Sequence, residues 1–181
     1  MKRWFYPVVA LQVLFLVGEA TSYQMQISRA PVVTLKVRPV DPRSLFMGNY
    51  MALDYEICDI NLSAVRHDPR LANGQWGDTV YVTLIPGKPG ARVESVTTSL
   101  PPARQDRPCL RAEFITVTGF QLRVFYGLDR YYIPETAQEQ VNRLWWRPGK
   151  QPPQVTAEIA ILGKGKAVIR GVLVDGKPLK Y

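Results

Sequence analysis

The β character of the chain is clearest in PVVTLKVRPVDP, residues 31–42. Apolar side chains recur there at every second position, at Val33, Leu35 and Val37, with polar residues between them. This period of two predicts a strand that buries one face. Pro39 and Pro42 end the strand, because proline has no N–H to donate to a neighbouring strand.

Similar apolar runs, separated by turn residues, continue along the chain. They predict further strands over residues 50–60, 80–85, 91–99, 110–117, 120–126, 155–162 and 167–174. The last four of these form two hairpins, one turning at Gly119 and the other at residues 163–166. Residues 61–78 are rich in turn formers and are predicted to form a polar loop.

One helix is predicted in the C-terminal half, beginning at Pro134 and ending at Pro148-Gly149. The expected fold is therefore mainly β within the α+β class. It is an antiparallel β-sandwich or partly open barrel of about seven to nine strands with this one helix, preceded by an N-terminal apolar helix.

The N-terminus indicates export. Lys2 and Arg3 precede fourteen uncharged, mostly apolar residues, 4–17. This predicts that residues 1–22 are a membrane anchor or a signal peptide, with the basic start retained in the cytoplasm. Residues 23–181 then form a single extracytoplasmic domain. The expected location is the inner membrane, with one pass; the alternative is secretion after cleavage near Ala20.

Charge and cysteine content narrow the function classes. The formal net charge is +8, and removal of residues 1–22 takes away two positive charges and one negative charge, leaving +7. A basic body favours acidic partners, and export argues against nucleic acid. Cys58 and Cys109 either form one disulfide or are two buried free thiols. With one histidine, His67, and no CxxC pair, no metal site and no cofactor are expected.

The segment RPVDPRSLFMGNYMALDY, residues 38–55, resembles the signature of the GDYXXLXY family of predicted membrane-anchored bacterial proteins. The motif residues are Gly48, Asn49, Tyr50, Leu53 and Tyr55, with Asn49 where the family name has aspartate. The later segment RYYIPE, residues 130–135, is similar to a second recurring segment of that family. The resemblance implies membrane association and supplies no reaction. Gly48-Asn49 predicts a tight turn, and Leu53 and Tyr55 are expected in the core.

Two groups of residues are candidates for chemistry. Asp54 and Glu56, two apart on one predicted strand, have roughly the 7 Å separation of a two-carboxylate hydrolase or transferase. The second group is a candidate binding patch for a membrane-protein partner or an anionic envelope component, and it comprises Arg130, Tyr131, Tyr132, Glu135, Trp146 and Arg147. The leading expectation is a non-enzymatic accessory or binding module in the envelope, with the carboxylate enzyme as the alternative.

Overall fold

The structure is a computed structural model of the chain and describes residues 2–38, 50–104, 106–134 and 153–179. The chain forms two compact units, residues 1–30 and 31–181. The predicted helix at 134–147 falls outside the described residues after Pro134, as do Gly48 and Asn49.

The N-terminal unit is one helix, α1, Lys2–Arg29. Its stretch Tyr6–Arg29 is long and apolar enough to cross a membrane, with a mean hydropathy of 1.3. The helix extends beyond the predicted segment 1–22. Glu19 ends the run of apolar residues, but glutamate is a good helix former and does not end the helix. In the second half of the helix, two side-chain hydroxyls donate hydrogen bonds to backbone carbonyls four residues earlier. Thr21 Oγ1 donates to the Val17 carbonyl at 2.7 Å, and Ser28 Oγ donates to the Gln24 carbonyl at 2.9 Å.

The second unit is β-rich, as the sequence predicts, and its described residues form three sheets. The four-stranded sheet has the order β1 (Val32–Lys36), β10 (Val155–Ile161), β11 (Ala167–Val174) and β12 (Lys177–Pro178). The two-stranded sheet pairs β2 (Tyr50–Ala52) with β9 (Arg130–Tyr132). The six-stranded sheet curls into an open half-barrel, in the order β3 (Asp59–Asn61), β8 (Gln121–Phe125), β7 (Cys109–Thr118), β5 (Thr79–Ile85), β6 (Arg92–Thr97) and β4 (Arg66–His67).

One core joins the three sheets. Alternate residues are buried in strands such as β5, where Val80, Val82 and Leu84 face inward. Strand β10 is instead buried at six of its seven positions, so both of its faces are covered. The two predicted hairpins are present as the antiparallel pairs β7–β8 and β10–β11.

The continuous strand predicted over residues 50–60 is wrong. Strand β2 ends at Ala52, a 3₁₀ turn spans Glu56–Cys58, and β3 begins at Asp59. The chain bends because β2 pairs with β9 in one sheet whereas β3 pairs with β8 in another. Inward burial nevertheless continues through Met51, Leu53, Tyr55 and Ile57, so the alternation of side chains conceals the bend.

The loop predicted over residues 61–78 also contains regular structure. Short 3₁₀ turns lie at Leu62–Ala64 and Pro69–Asn73, with β4 between them. Strand β4 pairs with β6 in parallel, an exception to the antiparallel arrangement that was expected. Asn61 and Asp68 cap the two 3₁₀ turns, their side chains accepting from the N–H groups of Ser63 and Arg70.

Candidate functional site

Two segments far apart in the sequence form one short antiparallel ladder. In the β2–β9 pair, Tyr50 lies opposite Tyr132, Met51 opposite Tyr131 and Ala52 opposite Arg130. Residues directly opposite each other in a ladder point to the same face. The ladder therefore places Tyr50, Arg130 and Tyr132 on one face and Met51 and Tyr131 on the other.

We call Tyr50, Arg130 and Tyr132 the tyrosine–arginine patch. The rings of Tyr50 and Tyr132 lie 5.9 Å apart, and the Arg130 guanidinium sits 5.3 Å from the centre of the Tyr50 ring. Tyr132 is 68% exposed and the Arg130 side chain 58%. A guanidinium over an aromatic face is attracted by the ring quadrupole, which fixes the orientation of both groups.

The carboxylate of Asp129 lies beside the patch. Arg130 Nε lies 3.3 Å from Asp129 Oδ2. The pKa of Arg130 is raised by its hydrogen bond with Tyr132 and, less strongly, by Tyr50 and Asp129. The patch thus presents one fully charged guanidinium beside two phenol groups, a combination suited to planar anions and to polar protein surfaces.

The opposite face of the ladder belongs to the core. Met51 is fully buried, and Tyr131 packs half-buried against the core cluster. Beyond the ladder, the Leu53 N–H donates to the Asp129 carbonyl at 2.8 Å, and the Tyr55 hydroxyl donates to the Leu128 carbonyl at 2.9 Å. Burial raises the pKa of Tyr55 far above its usual range, so this hydroxyl stays a donor.

A cleft of about 380 Å³ lies beside these contacts. Its apolar lining includes Leu53, Val124 and Leu128, whereas Cys58, Arg123 and Asp129 contribute polar groups. Asp129 belongs to the cleft lining and also pairs with Arg130 of the patch, so the cleft and the patch are neighbours. An apolar cleft with a few polar groups can hold part of a ligand or a partner side chain.

The two candidate carboxylates, Asp54 and Glu56, do not have the predicted strand geometry, because Glu56 starts the 3₁₀ turn. Each is paired with a cation: Asp54 Oδ2 lies 3.7 Å from Arg38 Nε, and Glu56 Oε1 lies 2.5 Å from Lys36 Nζ. Their side chains are 37% and 47% exposed. Neither carboxylate has the desolvated environment that a general acid requires.

Sequence reasoning missed the role of Arg38. Its Nη1 pairs with Asp59 Oδ2 at 2.5 Å, and its Nη2 donates to the Tyr55 carbonyl at 3.2 Å. Asp59 also accepts from Arg123 Nη1 at 3.2 Å. Burial opposes the charge on Arg38, but the hydrogen bond to Asp59 and the carboxylate of Asp54 outweigh it and raise the pKa of the guanidinium. The contact of Arg38 with Tyr55 spans 17 positions in the sequence and that of Asp59 with Arg123 spans 64, so no local pattern signals them.

A family model described as GDYXXLXY protein matches residues 12–172. The chain belongs to the GDYXXLXY family. No curated protein and no solved structure matches it. The family assignment that the sequence suggested is thus confirmed.

The ladder gives the GDYXXLXY motif a structural meaning in this chain. Leu53 and Tyr55 are buried and tie the motif to residues 128 and 129, whereas Tyr50 contributes to the patch. The first two motif residues, Gly48 and Asn49, lie outside the described residues, so the predicted tight turn stays a prediction.

The candidate patch of this GDYXXLXY protein is described only in part. Arg130 and Tyr132 share the exposed face, and Tyr131 is turned toward the core. The remaining members lie outside the described residues: Glu135, Trp146 and Arg147.

Both cysteines of the GDYXXLXY protein are free thiols, so the structure holds no disulfide between Cys58 and Cys109. Burial raises the pKa of each thiol to about 11. Backbone contact with Tyr55 at Cys58 and a hydrogen bond with Thr83 at Cys109 partly offset this effect. Among the described residues, no group of three histidine, cysteine or acidic side chains could hold a metal ion.

Proposed function

We propose that this GDYXXLXY protein is a non-enzymatic accessory or binding module of the bacterial envelope. Helix α1 anchors it in the inner membrane with one pass, and residues 31–181 face the extracytoplasmic side. The support for this orientation is the basic start, Lys2 and Arg3, ahead of the apolar stretch. Secretion after cleavage near Ala20 is the alternative.

The observation that carries the binding function is the exposed tyrosine–arginine patch. The two segments that resemble the family pattern pair with each other and together display Tyr50, Arg130 and Tyr132. Tyrosine and arginine are enriched at protein interfaces, since they combine a large contact area with directed hydrogen bonds. We propose that this patch contacts a membrane-protein partner or an anionic envelope component.

The carboxylate enzyme is the weaker alternative. A two-carboxylate mechanism needs one acid with a raised pKa, held away from cations in a desolvated site. Asp54 is instead partly exposed and paired with Arg38, and Glu56 is exposed and paired with Lys36. This arrangement favours the binding module.

Site-specific photo-crosslinking in growing cells tests the proposal. A benzoylphenylalanine is placed at Tyr132 in the full chain, and the control carries it at Phe120, which is 69% exposed and lies away from the patch in the β7–β8 turn. We expect a discrete adduct from position 132 that is absent from position 120. Adding Arg130→Gln should reduce its yield several-fold.

Two results would contradict the binding function of the patch. One is an equal set of adducts from both positions, which would indicate random collisions with neighbouring proteins or lipids. The other is an adduct from position 132 whose yield does not change with Arg130→Gln, because the guanidinium would then contribute nothing to contact.

A further inference from the structure

A row of polar side chains crosses three strands at one edge of the six-stranded sheet. Arg66 of β4 lies opposite Ser95 of β6, and Ser95 lies opposite Thr83 of β5. The neighbours Val82 and Val96 are fully buried, so the row occupies the outer face of the sheet. It lines a cleft of about 210 Å³.

An irregularity in β6 adds an acidic group to this face. The β5–β6 register shifts after Thr83, so Glu94 is an extra residue beside Ser95 and also lines the cleft. Its charge is compensated, since Glu94 Oε2 lies 3.1 Å from Arg107 Nε. Arg107 also lies 3.7 Å from the Asp106 carboxylate.

Two further arginines line the same cleft without compensation. Arg66 and Arg104 are exposed and form no ion pair with any residue that the structure describes. Pro101 and Pro102 form part of the wall next to Arg104, and their fixed φ angles limit the movement of that segment. The residues that line the cleft therefore carry a net charge of +2 in a concave site, and Asp106, which does not line it, adds one negative charge beside Arg107.

We propose that this arginine cleft, formed by Arg66, Ser95, Arg104 and Arg107, binds a phosphate monoester as its dianion. Two unpaired guanidinium groups match two negative charges, whereas a phosphodiester has only one. Arginine presents its N–H groups in a fork that fits phosphate oxygens, and the Ser95 hydroxyl supplies a further donor. The cleft volume suits a phosphoryl group with a small substituent rather than an extended polymer.

This site is separate from the tyrosine–arginine patch and does not depend on the function proposed for it. The patch lies on the β2–β9 ladder, whereas the arginine cleft lies at the β4 edge of the six-stranded sheet. The cleft is lined by Pro101, Pro102, Arg104 and Arg107, none of which belongs to the patch.

The test is a calorimetric titration of the full chain in a neutral, phosphate-free detergent. Glycerol 3-phosphate is the soluble probe, and dihexanoyl phosphatidic acid carries the same group on a lipid. We expect saturable binding of one molecule per chain. The affinity for diethyl phosphate should be at least tenfold weaker, since this diester carries one charge.

Paired variants separate the site from the general basic charge. Arg66→Gln with Arg104→Gln should weaken glycerol 3-phosphate binding at least tenfold, without a change in the thermal midpoint. Arg92→Gln with Arg170→Gln removes the same charge from exposed positions outside the cleft and should change affinity less than about twofold. Affinity should also fall as pH drops from about 8 to 5, because the second phosphate pKa is near 6.

The outcomes are distinct. Equal affinity for the soluble and the lipid probe supports recognition of the phosphate group alone, and a tenfold preference for the lipid probe supports a lipid source. The proposal is overturned if neither probe binds at about 10 mM, if both double variants lose affinity equally, or if diethyl phosphate binds as tightly as the monoester.

Discussion

Replacing Tyr55 by phenylalanine should destabilise the domain although the ring is retained. The side chain is 2% exposed, and its hydroxyl donates to the Leu128 carbonyl at 2.9 Å. The variant leaves that carbonyl without this donor at a residue that is only 5% exposed. The cost of such an unmet buried group is about 1–3 kcal/mol. For a chain of this size, each kcal/mol lowers the thermal midpoint by about 2–4 °C.

The assay is thermal and urea unfolding of the full chain in neutral detergent, followed by circular dichroism in the β region. Tyr132→Phe is the matched control, because it removes the same atom from a side chain that is 68% exposed. The control should stay within about 0.5 kcal/mol of the original protein. Equal stability of the two variants would refute the view that the last motif tyrosine ties residues 50–55 to residue 128.

Three further predictions concern stability and topology. Burial raises the pKa of the Cys58 and Cys109 thiols to about 11. Their contribution to the free energy of unfolding is therefore full below pH 9 and is lost as pH rises toward 11. Over this pH range, the urea midpoint of the variant with both cysteines replaced by alanine should fall less than that of the original protein. Gly165→Ala should lower the free energy of unfolding, measured in urea, by about 1–3 kcal/mol, because the φ of Gly165 is +76° and the added carbon would lie 2.9 Å from the Arg111 backbone nitrogen. Gly163 has open space around it, so Gly163→Ala should lower the free energy of unfolding by less than half as much. Alkaline phosphatase fused to the C-terminus should be active in whole cells, and activity of only a cytoplasmic reporter there would refute export.

The local pattern of the sequence was sufficient for most strands. In the β5–β6 pair and the β7–β8 hairpin, alternating apolar side chains of at least one strand, a short connection and the partner strand lie close together in the chain. In the β10–β11 hairpin, a continuous apolar run takes the place of the alternation. Residues 50–60 show where this method fails. Period-two burial continues through Ile57 although the backbone bends into a 3₁₀ turn, because side-chain burial and backbone pairing are separate properties.

The candidate site could be predicted only in part, for a related reason. The sequence singled out the motif at 48–55 and the segment at 130–135, but nothing local shows that they pair. The register of β2 against β9 decides that Tyr132 faces outward and Tyr131 inward. A shift of one residue would exchange the two tyrosines.

The spacing of the family motif follows from this register. Leu53 and Tyr55 are two positions apart and both point inward, where each is almost fully buried. Tyr50 is three residues before Leu53, so in an extended chain it must point outward. Packing of the core explains why large side chains stand at Leu53 and Tyr55. It does not require an aromatic residue at position 50, because that side chain points outward. The contacts of Tyr50 are instead with Arg130 and Tyr132, at the surface. Tyr50 is therefore the described motif residue that packing of the core does not account for, and the patch is where the proposed contact with a partner should be sought.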